Sequence, residues 1–145
     1  MPSTSKHRRQ RAARAIAELI ELLGRSLASR GFSNGLNPAQ WAALRYISQA
    51  DESARTIGAF ARFHLTTPSS ASQTMSALVN KRLVMKTKGG DQRMRALQLT
   101  AKGRRLLKDD PIADLTRAVH SLSDDQLFLM AEIMDRLTKG APPIQ

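Results

Sequence analysis

Two short stretches of strand pattern, residues 83–88 and 94–99, sit inside a chain whose remaining periodicity is helical. Gly89-Gly90-Asp91-Gln92-Arg93 joins them as a glycine-bearing hairpin loop. The pattern before the hairpin is a short helix over 57–63, with Ile57, Phe60 and Ala61 apolar at i, i+3 and i+4, and a turn over 64–67. A second helix over 67–81 follows, opened by Thr67 as N-cap and Pro68 at its first position. At about 100° per residue, Ala71, Met75, Leu78 and Val79 make its buried stripe. Ser69, Gln73, Ser76 and Asn80 face the other way, with Ser70 and Ser72 at the borders, and no acid occurs on the helix.

Long amphipathic helices are expected on both sides of this unit. Over 6–30, Ile16, Leu19, Ile20, Leu23 and Leu27 recur at helical spacing, until Gly31, Gly35 and Pro38 end the element. Asn37 and Pro38 start the next helix, which carries Trp41, Leu44 and Ile47 to about residue 50, where Asp51-Glu52-Ser53 is a polar break. After the hairpin, Thr100 caps a helix running to about 108. Asp109-Asp110-Pro111 should interrupt it, because proline cannot donate the helical bond and restricts the residue before it. Helix resumes over 112–120. The last helix opens on the capping box Ser123-Asp124-Asp125-Gln126 and carries Leu127, Met130, Ile133, Met134 and Leu137 on one face. Gly140 and Pro142-Pro143 end it, and residues 1–5 and 140–145 are expected to fray.

Charge separates the segments. The net charge is +11, but residues 56–108 hold eleven Lys and Arg against the single acid Asp91. Residues 1–35 hold seven basic residues and two acids, whereas residues 109–145 hold seven acids and three basic residues. Polyanion contact therefore belongs to the middle of the chain. With no cysteine, a disulfide framework, a Cys-based zinc site and thiol redox sensing are excluded. The three histidines, His7, His64 and His120, are scattered, so neither a metal nor another cofactor is expected. Nor is there a Ser/His/Asp set, a carboxylate pair or a phosphate-cradling loop, which argues against an enzyme; Gly89-Gly90 is a turn, since no GK[ST] follows. No apolar run of about 18 residues and no secretory signal pattern are present, so a cytoplasmic protein without membrane contact is expected.

A helix–helix–hairpin order between amphipathic arms is a mainly α winged helix-turn-helix (an α+β wing) with N- and C-terminal dimerisation helices. The expected division is an arm over 1–35, a DNA-binding domain over 36–108 and C-terminal dimerisation helices over 109–145. Asp91-Gln92-Arg93 followed by Leu99-Thr100-Ala101-Lys102-Gly103 resembles the MarR family of bacterial transcriptional regulators, whose wing carries Asp-x-Arg before a Leu-Thr-x-x-Gly helix start. Leu36-Asn37-Pro38-Ala39-Gln40-Trp41 is also similar to that family's segment ahead of the motif, and the likeness covers roughly residues 10–138. Two positions depart from the pattern. Arg82 stands where the family usually has glycine, so either Asn80 takes over the turn or Arg82 accepts a strained backbone. Pro111 interrupts a helix that is often unbroken, so the dimer arm here is expected to bend.

In this setting Pro68, Ser69, Ser70, Ser72, Gln73, Ser76 and Asn80 are the candidates to enter a major groove. Glutamine can pair bidentately with adenine, whereas serine tolerates any base. Such a face is ordinarily a solvated surface; its place beside a basic hairpin favours base contact. Lys86, Lys88, Asp91, Arg93 and Arg95 are the wing candidates. By resemblance Arg93 enters the minor groove with Asp91 orienting it, against the plainer reading of a surface ion pair. The cluster Lys6, Arg8, Arg9, Arg11 and Arg14 fits phosphate contact and a solvated helix start equally well. The resemblance implies a homodimer on a palindromic double-stranded operator, its two recognition helices about 34 Å apart. It implies repression of nearby genes and a small aromatic or anionic effector, for which Phe32, Trp41 and Arg45 are the pocket candidates; a core Trp and a surface Arg are the plainer reading. The rivals are an architectural binder acting through charge alone, and a small-molecule-binding protein or enzyme with an anionic substrate.

Overall fold

In the computed structural model, which describes residues 3–88 and 95–140, most helices begin where short polar side chains can satisfy the free N–H groups of a first turn. Helix α1 spans Ser3–Arg30, α2 Pro38–Gln49, α3 Ile57–Phe63 and α4 Pro68–Asn80. Asn37 Oδ1 accepts from the Gln40 N–H at 2.9 Å, and Gln40 Oε1 accepts from the Asn37 N–H at 3.1 Å. That reciprocal box supplements the expected Asn-Pro start. Thr56 Oγ1 caps α3 through the Ala59 N–H, and Thr67 Oγ1 caps α4 through the Ser70 N–H. The polar break at 51–53 is a short 3₁₀ turn, Glu52–Ala54.

Strands β1 (Val84–Lys88) and β2 (Arg95–Leu99) pair antiparallel, with Val84 opposite Leu99 and Lys88 opposite Arg95. The free edge of β2 is partly covered, since the Leu97 N–H donates to Arg55 O at 2.8 Å. Helix α5 (Ala101–Leu106) passes into a 3₁₀ turn, Leu107–Asp109, and the chain breaks at Asp110-Pro111 before α6 (Ala113–His120) and α7 (Asp124–Gly140). Asp110 has φ −57° and ψ +121°, the extended conformation that a following proline demands. The expected interruption is therefore present. Helix α1 starts three residues earlier than the sequence indicates, at Ser3, so 3–5 are helical. Residues 1–2, 89–94 and 141–145 lie outside the described residues.

The core lies under the hairpin and its helices. Trp41, Leu44 and Ile47 from α2 meet Phe60 from α3, Met75 and Leu78 from α4, and Leu83, Val84 and Leu97 from the hairpin. Gly103 lets α5 close on this unit: a Cβ there would stand 2.2 Å from the Leu83 carbonyl oxygen, inside any possible contact. Arg82 resolves the alternative posed by its missing glycine. Asn80 stays helical and Arg82 takes φ +59°, a left-handed conformation costing a residue with a Cβ roughly 1–2 kcal/mol. Its carbonyl accepts from Thr100 Oγ1 at 2.7 Å, which ties the turn to the cap of α5.

The arms behave differently from the core. Ile16, Leu19, Ile20 and Leu23 of α1 are exposed, as are Met130, Ile133, Met134 and Leu137 of α7. Phe128 and Leu129 widen the apolar face of α7 beyond the stripe read from the sequence. Ile16 and Ile20 line one groove with Leu129, Met130 and Ile133, so the two helices present a shared apolar surface. No helix among the described residues is long and apolar enough to cross a membrane.

Candidate nucleic-acid interface

Burying Ala71, Met75 and Leu78 turns the opposite side of α4 outward, and Pro68, Ser69, Ser70, Ser72, Gln73, Ser76 and Asn80 are all exposed. Among the described residues, Ser69, Ser72, Gln73, Ser76 and Asn80 make no side-chain hydrogen bond. Ser70 differs, because its hydroxyl accepts from Thr67 Oγ1 at 3.0 Å and is drawn into the cap. The helix thus presents donors and acceptors whose hydrogen-bonding capacity is free for an external partner. Its first turn adds backbone N–H groups suited to a phosphate. Helix α3 reaches α4 through a tight turn in which Leu65 takes φ +52° and the Thr66 N–H donates to Ala61 O at 3.0 Å.

The hairpin emerges from the C-terminal end of α4. Lys86 is exposed on β1. Lys88 and Arg95 pair through their backbones at the outer end of the described ladder. Asp91 and Arg93, with the rest of 89–94, lie outside the described residues. Three cations of the central block also bind backbone carbonyls. Lys81 Nζ donates to Gly35 O at 2.5 Å, Lys102 Nζ to Lys81 O at 3.2 Å and Arg104 Nη1 to Leu99 O at 2.9 Å. One of these carbonyls, that of Lys81, stands at the C-terminal end of α4, where positive charge is favourable. All three remain exposed, so each ties a backbone carbonyl while keeping its charge at the surface.

A hollow of about 630 Å³ opens between α1, α2 and the α5–α6 break, with Trp41, Arg45, His64, Pro111 and Ile112 in its wall. A second recess of about 600 Å³ shares Arg45, His64 and Ile112 and adds Tyr46 and Phe63. Trp41 is fully buried, and its indole N–H has no partner among the described residues. His64 stacks on Phe60 at 5.2 Å. Burial, and then the neighbouring Arg45 guanidinium, hold the His64 imidazole below its ordinary pKa. Arg45 is bound by Asp110, Nη1 to Oδ1 at 2.7 Å. Of the three pocket candidates, Trp41 and Arg45 come together here. Phe32 does not join them: it is 71% exposed and borders a separate surface recess with Asn34 and Lys81. Asp110, Tyr46 and His64 were not among the candidates. Their association with Arg45 depends on contacts up to 65 residues apart in sequence, which no local pattern carries.

No protein-family model and no curated protein matches the sequence. Solved structures do match. A MarR family transcriptional regulator from Silicibacter pomeroyi superposes with a TM-score of 0.68 at 22% identity, over 89% of this chain and 86% of that one. Staphylococcus aureus MarR, solved with salicylate and kanamycin, gives 0.68 at 19% identity over 94% of both chains. A variant of MepR from the same organism, bound to an oligodeoxyribonucleotide, gives 0.57 at 15% identity over 89% of this chain and 96% of that one. The chain has the winged-helix fold of MarR family regulators along nearly its whole length.

Proposed function

We propose that the chain is a homodimeric, sequence-specific transcriptional regulator that binds double-stranded DNA, represses nearby genes and is relieved by a small-molecule effector. The observation that carries this reading is the exposed, acid-free hydroxyl and amide face of α4, held beside the basic hairpin. A helix of this kind suits a major groove, and a hairpin beside it suits the adjacent minor groove. The solved MepR variant with an oligodeoxyribonucleotide supports DNA as the partner of this fold. Gln73 is the base reader with the most discrimination, and Ser69, Ser72 and Ser76 supply tolerant contacts. Arg93, with Asp91 as its orienting partner, is the candidate for minor-groove contact that the family resemblance implies.

Dimerisation follows from the apolar faces of α1 and α7, which water would otherwise cover at about 25 cal/mol per Å². The arms, 1–35 and 109–145, would join two reading lobes, 36–108, around a two-fold axis, placing their recognition helices on the half-sites of a palindrome. The hollow beside Trp41 and Arg45 is the seat for the effector, and the solved complex of the S. aureus protein with salicylate supports a small molecule in this fold. The protein acts by binding, with no catalytic step, in the cytoplasm.

Selection of bound fragments from a random DNA pool tests the reading. The expected result is a short palindromic consensus, retained against excess competitor DNA and footprinted over both half-sites. Recovery of fragments with no shared sequence would replace it with an architectural, charge-driven binder.

A further inference from the structure

Helix α4 ends in a closed backbone motif. The Arg82 N–H donates to Val79 O at 2.9 Å and the Leu83 N–H to Leu78 O at 3.0 Å, the paired bonds of a Schellman ending. That ending makes Arg82 the residue that must turn left-handed, at φ +59°, a conformation glycine takes without strain. Arg82 is exposed, and its guanidinium makes no hydrogen bond or ion pair among the described residues. The turn therefore gains nothing locally from the side chain that strains it.

Positive charge converges on the same turn. Lys102 Nζ reaches Lys81 O at 3.2 Å, the carbonyl that shares a peptide bond with the Arg82 nitrogen. Lys81 is exposed as well, with its ammonium on Gly35 O at 2.5 Å. No acid among the described residues pairs with any of the three. A cation at a helix C-terminus suits the helix dipole, but Lys102 on the Lys81 carbonyl already fills that role. Residues 81–83 are the whole link between α4 and β1. A helix in a major groove and a hairpin in the adjacent minor groove are separated by one sugar–phosphate strand, which a link this short has to pass over.

We propose that Arg82 is a contact to the DNA backbone, its guanidinium binding the phosphate strand between the two grooves with Lys102 beside it. The inference rests on the DNA-binding reading and extends that surface to the α4–β1 turn, outside both the exposed face of α4 and the wing. A guanidinium can donate two parallel N–H bonds to phosphate oxygens, and neutralising a phosphate releases condensed counterions. The Schellman bonds, and Thr100 Oγ1 on the Arg82 carbonyl at 2.7 Å, fix the backbone of this residue before DNA arrives. Such a contact sets position and carries no base information. Glycine at 82 would remove the strain and the contact together.

The test uses the full chain, the selected operator and an unrelated duplex of equal length, titrated over about 50–200 mM salt. Arg82→Gly should be more stable than the natural protein, with a melting temperature higher by about 3 °C at matched concentration. It should nevertheless bind both duplexes about tenfold more weakly. Its slope of log affinity against log salt should be shallower by about one for each copy bound. Arg82→Asn, which tolerates the turn, should lose the same affinity and slope, whereas Arg82→Lys should keep the slope. An unchanged slope in Arg82→Gly, a loss confined to the operator, or no rise in melting temperature overturns the proposal. A changed sedimentation of Arg82→Gly would set the turn against a second copy and overturn it too. If selection recovers no consensus while the natural protein still binds duplex, the regulator reading fails and the slopes still judge Arg82. Absence of any duplex binding overturns both.

Discussion

Replacing Gly103 with alanine tests the packing on which the hairpin depends, because two effects of opposite sign compete there. A methyl group at 103 would lie 2.2 Å from the Leu83 carbonyl oxygen and 3.1 Å from its carbon. Ordinary contact begins at 3.4 Å, so the helix and the strand must part by roughly an ångström. The obstacle is backbone, not a side chain that can swing away. The same carbonyl accepts from the Thr100 N–H at 3.1 Å and from Thr100 Oγ1 at 3.2 Å, so parting stretches the bonds that start α5. Overpacking costs about 1–3 kcal/mol, and one weakened hydrogen bond adds about 1 kcal/mol. Alanine's better helix propensity returns about 1 kcal/mol. The net expectation is a loss of about 1–3 kcal/mol, or a melting temperature lower by about 3–10 °C for a chain of this length. Urea unfolding followed by far-ultraviolet circular dichroism, at matched protein concentration, measures it. If propensity alone governed the site, Gly103→Ala would be more stable than the natural protein by about 1 kcal/mol. Equal or greater stability refutes the close approach.

Three further outcomes are expected. The His64 pKa is lowered in the folded state, so below the ordinary value of 6.5 the unfolded chain takes up protons that the folded chain resists. Stability should therefore fall on acidification from 6.5 toward the depressed folded value; His64→Gln should flatten this dependence in urea midpoints, and an unchanged slope counts against it. Arg93→Ala should weaken operator binding more than Lys86→Ala in titrations at fixed salt, and equal losses remove the groove-insertion role. Ile133→Asp places a charge in the apolar face shared by α1 and α7. Sedimentation should then show a shift from dimer to monomer, and an unaltered dimer removes these arms from the interface.

Local chemistry explains why so much of the fold was legible in the sequence. The starts of α2 to α5 and of α7 each use a side chain reaching three residues along the chain, as Thr67 does to Ser70 and Thr100 to Gly103. Helix α3 ran over the expected residues because its apolar spacing and its cap agree. The polar face of α4 was legible for the same reason, since fixing which side is buried fixes which side is not. Arg82 is the instructive position. A missing glycine identified the strained site, but only the packed structure shows that Asn80 stays helical and Arg82 takes the left-handed turn, its carbonyl bound by Thr100.

The limits of local pattern appear where charge meets distance. Eleven cations in one block read as one electropositive surface, and nothing in that count shows that Lys81, Lys102 and Arg104 also tie backbone carbonyls of the fold. Conversely, Asp110 read only as the residue that proline keeps out of a helix. That extended backbone is what makes its second role possible: leaving the helix at Asp110 frees its carboxylate to accept from the Ile112 N–H and to reach Arg45 on α2. The bend imposed by Pro111 and the ion pair are therefore one device. A helix unbroken at this point would lack the turn in which the Asp110 oxygen accepts from Ile112 across the proline. The substitution Pro111→Ala, which permits that continuity, is accordingly a perturbation of the Arg45–Asp110 pair as well as of the bend before α6.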